Sequence, residues 1–265
     1  MFEEEEANYK IKPPKMNCDF PLSKKPIFSP FPNKSFSLLI CGTPGSGKTS
    51  FLMSMLNQKG KNRIYRRVFR HIMVVSPSLN SLPDNLLEGI PPEQLFDDFS
   101  DDINKMINAN NESYLEKPEK KYSQLLILDD VASFLKLKKN IVFLNKIFFN
   151  RRHKRLSIIL TTQYIYQVPK SVRANVSDLV LFLPTTSELE TVRREFIPMK
   201  KDKFIDFIKF VYREPHDTLY INEKKELFRN LGKIIDKDDI MKKIEREKQE
   251  KKEDEKKEER KEDEK

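Results

Sequence analysis

At 265 residues the chain has room for one α/β domain with tails and little room for a second enzymatic domain. Its apolar runs are far shorter than the ~20 residues that a membrane span needs, and none follows the acidic start MFEEEE, so we expect a soluble intracellular protein. Two cysteines, Cys18 and Cys41, do not predict a disulfide framework. The net charge of +9 suits a nucleic-acid partner, and residues 242–265 carry eleven basic and eleven acidic side chains, so the excess belongs to the preceding part of the chain.

The chain begins with residues 1–34, which are rich in proline, lysine and glutamate and predict an extended N-terminal arm. Five short apolar runs then alternate with segments of helical period, at residues 35–41, 71–76, 123–129, 157–162 and 178–183. Their near-continuous leucine, isoleucine and valine content is typical of parallel strands that are covered on both faces. We therefore predict an α/β fold with a mainly parallel sheet and crossover helices.

The segments after the last of these strands are more polar. Residues 186–210 show a helical pattern, and FVYREPHDTLYIN (210–222) predicts a C-terminal β-hairpin that turns near residues 215–217. Residues 223–241 are expected to form a helical extension. Residues 242–265 have many opposite charges three or four positions apart but no apolar stripe, so this charged low-complexity tail is either a solvated helix or a disordered segment.

The segment GTPGSGKT at residues 42–49 fits the phosphate-binding pattern G-x-x-x-x-G-K-[ST] and lies between a predicted strand and a helix-compatible run. Glycines let such a loop wrap a polyanion with its backbone N–H groups, and the following helix adds its positive N-terminus. Lys48 would reach the β- and γ-phosphates of ATP, and the Thr49 hydroxyl would bind Mg²⁺. A glycine-rich turn without a nucleotide is the alternative. The predicted ATP-binding residues are Gly42, Thr43, Pro44, Gly45, Ser46, Gly47, Lys48, Thr49 and Ser50.

Two aspartates, Asp129 and Asp130, follow the apolar run QLLIL. A strand that ends in an acid is the arrangement that holds Mg²⁺ beside a P-loop, so Asp129 is the predicted metal-associated carboxylate, acting through a magnesium-bound water. Asp130 is the candidate base that activates the attacking water. ATPases with a P-loop and an acidic strand end usually carry a glutamate at this position. Aspartate is one methylene shorter, and a positional error of ~1 Å can cost about a hundredfold in rate. A plain turn after a strand is the alternative interpretation of the pair.

Gln163 follows the run SIILTT, which is the next predicted strand. Polar side chains at the ends of parallel strands emerge at the carboxyl edge of the sheet, where ligands bind. We therefore interpret Gln163 as a candidate γ-phosphate sensor that positions the attacking water. The alternative is a glutamine that only caps the strand.

Three motifs together resemble the genome-packaging ATPases of the FtsK–HerA superfamily, which occur in poxviruses, other large double-stranded DNA viruses, virophages and polinton-like elements. They are ICGTPGSGKTSFL, LLILDDVASF and NRRHKRLSIILTTQYIYQVPKSVRANVSDLVLF, and the resemblance covers roughly residues 35–200. It implies a P-loop NTPase with a RecA-like (ASCE) three-layer core and a pentameric or hexameric ring with ATP at the interfaces. Double-stranded DNA would pass through the centre, and a capsid or portal-vertex protein would be a partner. It also implies a location in the host cytoplasm or viral factory, or association with the virion.

A ring motor of this kind implies an arginine that reaches the transferred phosphoryl group from the neighbouring subunit. Arg173, between the Gln163 strand and the next strand, is the first candidate, and Arg152 and Arg155 are the alternatives. Each could instead pair with a surface carboxylate. The segment KGKNRIYRRVFRH (59–71) has six lysines and arginines, no acid and interleaved aromatic residues, so it is either a contact to DNA phosphates or a solvated rim.

We therefore expect an ATPase domain over residues 35–222 that hydrolyses ATP to move double-stranded DNA into a capsid. A HerA-like helicase or DNA-transfer ATPase is the nearest alternative. A nucleoside or small-molecule kinase would need an acceptor pocket and an arginine-rich lid, and a regulatory ATP-binding module would assemble through the charged tail and hydrolyse slowly. After the ATPase region no carboxylate cluster predicts a nuclease, and the three histidines are too scattered to predict a zinc site.

Overall fold

A computed structural model of the chain describes residues 20–116 and 123–235. Within these ranges the strands are β1 (Ser37–Cys41), β2 (His71–Val75), β3 (Leu95–Phe96), β4 (Gln124–Leu128), β5 (Leu156–Thr162), β6 (Asp178–Phe182), β7 (Thr218–Ile221), β8 (Leu227–Arg229) and β9 (Gly232–Lys233). The helices there are α1 (Lys48–Asn57), α2 (Asp84–Leu87), α3 (Asp101–Glu116), α4 (Lys138–Asn150), α5 (Lys170–Arg173), α6 (Thr186–Glu195) and α7 (Lys201–Val211).

The described strands form one sheet in the order β3-β2-β4-β5-β1-β6-β7-β8-β9. Strands β3 to β6 in this order are parallel, and β7, β8 and β9 are added antiparallel. The five strands predicted from apolar runs correspond to β1, β2, β4, β5 and β6. Strand β5 lies between β1 and β4, so the strand that precedes Gln163 separates the phosphate-loop strand from the strand that precedes Asp129. This order confirms the RecA-like arrangement.

Apolar side chains of the sheet alternate between its two faces and build a core on each. Leu39 and Cys41 of β1 belong to the core that α3, α4, α6 and α7 cover, whereas Leu38 and Ile40 belong to the core that α1 covers. Every residue of β1, β4 and β5 is buried, because helices pack on both sides of these strands. The predicted three-layer α/β fold is therefore confirmed.

The C-terminal elements confirm one prediction and correct two. Helices α6 and α7 account for the helical pattern predicted over residues 186–210. The hairpin is misplaced in the prediction, because residues 210 and 211 end α7, β7 pairs with β6, and the hairpin joins β7 to β8. The helical extension predicted from residue 223 is wrong over its described part, where β8 and β9 lie. Phe228 of β8 is buried against Tyr220 of β7, with ring centroids 6.2 Å apart, and this packing favours the strand.

Residues 20–34 of the predicted arm pack on the α1 side of the sheet. Leu22 and Phe31 are buried there, and the Phe31 ring lies edge-on to Tyr65 and Tyr220. Residues 1–19 of the arm, residues 236–241 of the predicted extension and the tail 242–265 lie outside the described ranges. None of the helices within those ranges is long and apolar enough to cross a membrane.

Candidate active site

The phosphate-binding loop joins β1 to α1, as the motif predicts. Gly45 and Gly47 have φ angles of 77° and 109°, in the left-handed region that favours glycine. A Cβ at Gly42 would lie 2.6 Å from Ser46 Oγ and 2.7 Å from Phe182 Cβ, so no side chain fits there. The three glycines of the loop are therefore required by its path.

The interior of this loop is shaped for a polyanion. Lys48 Nζ donates hydrogen bonds to the carbonyl oxygens of Gly42 at 2.7 Å and Thr43 at 3.1 Å, so the ammonium group already lies over the loop. Ser46 Oγ is buried and has no hydrogen-bond partner among the described residues. A buried hydroxyl without a partner is costly unless a ligand satisfies it, so the cradle fits a phosphate group.

Thr161 connects the two predicted acidic residues. Its Oγ1 donates to Asp129 Oδ1 at 2.8 Å and accepts the backbone N–H of Asp130 at 2.9 Å. Asp130 has a φ of 48°, a left-handed conformation uncommon outside glycine. Gln163 Nε2 donates to Asp130 Oδ2 at 3.0 Å, so the carboxyl ends of β4 and β5 bring together Asp129, Asp130 and Gln163.

The environment of Asp129 suits a cation. Burial raises the pKa of its carboxyl group, and the neighbouring Asp130 carboxylate adds to this increase, while hydrogen bonding by Thr161 and the charge of Lys48 oppose it. A divalent cation would stabilise the ionised form. The described residues contain no cluster of three or more His, Cys, Asp or Glu side chains able to hold a metal. Mg²⁺ keeps most of its waters and takes few protein carboxylates, so a single carboxylate such as Asp129 is compatible with it.

The three candidate arginines differ in their surroundings. Arg173 forms a bidentate ion pair with Glu195, at 2.8 and 2.7 Å, and its side chain is only 10% exposed. Arg152 and Arg155 precede β5 and thus lie at the amino edge of the sheet, opposite the phosphate loop. Because a strand rises about 3.3 Å per residue, β5 separates the amino edge of the sheet from the carboxyl edge by about 20 Å. The geometry does not favour Arg173, because its guanidinium group is already paired.

Sequence reasoning missed two contributors to the site. His216 lies in the turn before β7, and its Nδ1 is 2.9 Å from the carbonyl oxygen of Ser46, which requires a proton on Nδ1. Phe182 ends β6 and packs beside Gly42 and Gly47. No sequence signal could have identified His216, because 170 positions separate it from Ser46 and the antiparallel addition of β7 brings them together.

Known proteins place the chain in a family. The family model described as Poxvirus A32 protein matches residues 28–255. Uncharacterized protein 015R of Frog virus 3 (isolate Goorha) is 25% identical over 147 residues, which is 55% of this chain but only 43% of that relative's length.

Solved structures with a similar fold include the genome packaging NTPase B204 of Sulfolobus turreted icosahedral virus 2. Its complex with sulfate has a TM-score of 0.54 at 17% identity, and the match covers 74% of this chain and 95% of that chain. Its complex with AMP has a TM-score of 0.51 at 15% identity, over 74% and 96% of the two chains. At these identities the likeness concerns the fold. The chain belongs to the poxvirus A32 protein family and has a P-loop NTPase fold.

Proposed function

We propose that the chain hydrolyses ATP with Mg²⁺ and uses the reaction to move double-stranded DNA into a viral capsid, as one subunit of a pentameric or hexameric ring. Membership of the poxvirus A32 protein family and a fold shared with a genome packaging NTPase support this function. The observation that carries the hydrolysis is the hydrogen-bonded group of Asp129, Thr161, Asp130 and Gln163 beside the phosphate loop.

The phosphate loop would hold the triphosphate of ATP with its backbone N–H groups and the N-terminus of α1. Lys48 Nζ would turn from the two loop carbonyls to the β- and γ-phosphates, and Ser46 Oγ would gain the partner that it lacks. Thr49 and Ser50 belong to the first turn of α1 and would lie beside the same phosphates. The AMP complex of B204 supports a nucleotide as the ligand of this fold.

The Asp129 and Asp130 side chains would divide the remaining work. Asp129 and the Thr49 hydroxyl would hold Mg²⁺, which when bound neutralises charge on the phosphate oxygens. Asp130 would accept a proton from the water that attacks the γ-phosphorus as the bond to ADP breaks. The Gln163 amide would keep the Asp130 carboxylate oriented and contact the same water.

A ring would add an arginine from the neighbouring subunit. Arg173 could take this role only by leaving its ion pair with Glu195, whereas Arg152 is partly exposed and would need no such exchange. Mixed rings of Lys48→Ala and Arg152→Ala subunits, compared with rings that combine Lys48→Ala and Arg173→Ala subunits, would assign the residue. If an arginine acts in trans, a mixed interface can combine an intact phosphate loop with an intact arginine and regain turnover.

Displacement of the third strand from a DNA triplex tests translocation directly. We expect ATP-dependent displacement by the full chain and none by Lys48→Ala, with inorganic phosphate as the product. Hydrolysis without displacement at any DNA length would contradict the proposed movement along DNA. Transfer of the phosphoryl group to a nucleoside would point to the kinase alternative.

A further inference from the structure

Two basic segments meet at the amino edge of the sheet, opposite the phosphate loop. One comprises residues 59–70, between α1 and β2, and the other comprises residues 151–155, between α4 and β5. The backbone N–H of Arg70 donates to Ser123 O at 2.9 Å, and the carbonyl of Arg155 accepts from the Gln124 N–H at 3.1 Å. Since β2, β4 and β5 are neighbours in register here, the backbones of Arg70 and Arg155 lie about 10 Å apart, two strand spacings.

Buried aromatic residues hold the first segment on the domain. Tyr65 and Phe69 are 1% and 8% exposed, and the Tyr65 ring stacks on Phe36 with centroids 5.1 Å apart. These rings are therefore core residues and unavailable as the surface contacts that the sequence pattern suggested. Their burial leaves Arg66 partly exposed and Arg67 exposed.

Three arginines of this edge carry charge that no ion pair among the described residues neutralises. Arg66, Arg67 and Arg155 take part in none of the ion pairs formed within residues 20–116 and 123–235. Burial lowers the pKa of His71 and of Lys154. The nearby positive charge of Arg70 lowers the pKa of His71 further, and that of Lys146 lowers the pKa of Lys154 further. Like charges thus accumulate along the edge.

The backbone presents two of these arginines in an uncommon conformation. Arg67 and Arg155 have φ angles of 58° and 49°, in the left-handed region that side-chain-bearing residues rarely adopt. Such outliers persist where the surrounding structure enforces them and occur often at functional sites.

Beside Arg67, a cleft of about 710 Å³ is lined by Lys59, Arg66 and Arg67, with Glu88 as an acidic member of its lining.

We propose that this amino-edge surface, formed by residues 59–70 and 151–155, binds the phosphate backbone of double-stranded DNA without reading its sequence. The inference rests on the proposed translocase function and names the surface that would contact the cargo. Arginine side chains suit phosphate oxygens because the planar guanidinium group can donate two parallel hydrogen bonds. DNA at the amino edge and ATP at the carboxyl edge of the same subunit would not compete for one site.

The test measures DNA affinity against salt concentration. The double variant R66Q/R67Q removes two charges from the surface, and K200Q/K201Q is a matched control that removes two exposed charges at the start of α7. Anisotropy of a labelled duplex between about 50 and 200 mM salt gives the slope of log K against log salt, which falls by about 0.9 for each lost phosphate contact. We expect a slope smaller by about 1.8 in R66Q/R67Q and unchanged in the control, with equal ATP turnover in the absence of DNA.

A charge-preserving variant, R66K/R67K, keeps the measurement interpretable if substitution disturbs the segment. It should retain the wild-type slope, because the slope reflects counterion release, which depends on the charge of the side chain and not on its hydrogen-bond geometry. A wild-type slope in R66Q/R67Q, with DNA-stimulated turnover intact, would contradict the proposal that this surface binds DNA and leave the translocase proposal standing. A wild-type chain that hydrolyses ATP but binds no DNA would overturn both.

Discussion

Thr161 joins the two acidic residues of the site through a single hydroxyl group. Thr161→Val removes both hydrogen bonds while keeping the side-chain volume, and leaves the Asp130 N–H and one Asp129 oxygen without their partner. We expect the free energy of unfolding to fall by about 1–3 kcal/mol and kcat to fall roughly 10- to 100-fold. Turnover and urea unfolding measure the two effects. Thr161→Ser keeps the hydroxyl and should restore most of the activity, so equal kcat values in the two variants would contradict the assigned role.

Asp130 supplies the base of the proposed reaction, whereas Gln163 supplies only its orientation. Asp130→Asn keeps an oxygen for the Gln163 amide but removes the base, so kcat should fall about 10²–10⁴-fold with little change in ATP affinity. Asp206→Asn, an exposed aspartate of α7, is the matched control. Single-turnover hydrolysis measures the loss of the base, and a nucleotide-binding titration measures ATP affinity. Unchanged single-turnover hydrolysis in Asp130→Asn would show that another group activates the water.

The turn between α7 and β7 connects the antiparallel edge of the sheet to the phosphate loop. Asp217 fixes this turn, and hydrogen bonds from its surroundings hold the pKa of its carboxyl group well below the usual range. His216→Ala removes the bond to Ser46 O, so the loop should be less well ordered before ATP binds. We expect KM for ATP to rise about fivefold, the equivalent of one hydrogen bond, while kcat changes little. Glu214→Ala in the same turn is the control, and equal KM values in the two variants would contradict the role of His216.

The pairing of β6 with β7 buries a carboxyl group that makes stability depend on pH. Burial raises the pKa of Asp178 to about 6, although hydrogen bonds from Ser177 and Tyr220 oppose the increase. The folded chain therefore keeps this proton to higher pH than the unfolded chain, so the free energy of unfolding falls as pH rises from about 4 to about 6. Asp178→Asn removes this dependence, and the difference between the two proteins should change by about 2–3 kcal/mol across that window. Parallel curves of urea unfolding against pH would contradict the raised pKa.

The elements differ in how far the sequence predicts them. Strands such as β1 and β5 are predictable because their buried centres are runs of apolar residues, and the phosphate loop is predictable because its path requires glycine at Gly45 and Gly47. The prediction of a helix over strand β8 is wrong because three residues between charged neighbours show no pattern of their own. Its structure depends on pairing with β7 and on the contact between Phe228 and Tyr220. The His216 contact depends on the same non-local pairing and has no local signal.

The whole molecule places the proposed ATP site and the proposed DNA surface at opposite edges of its parallel strands. The phosphate loop, Asp130 and Gln163 lie at the carboxyl edge, and the arginines of the two basic segments lie at the amino edge. Strand β4 links them, because Asp129 follows its last residue while Gln124 at its start bonds to Arg155. DNA that binds at one edge would therefore influence hydrolysis at the other only through packed strands or through neighbouring subunits of the ring.

The most direct measurement is ATP turnover of the purified chain with and without long double-stranded DNA, beside Lys48→Ala and Asp130→Asn. We predict that DNA raises the turnover of the wild-type chain severalfold and that neither variant shows DNA-stimulated hydrolysis. Turnover that is the same with and without DNA would leave a P-loop ATPase but contradict its proposed role as a DNA-packaging motor.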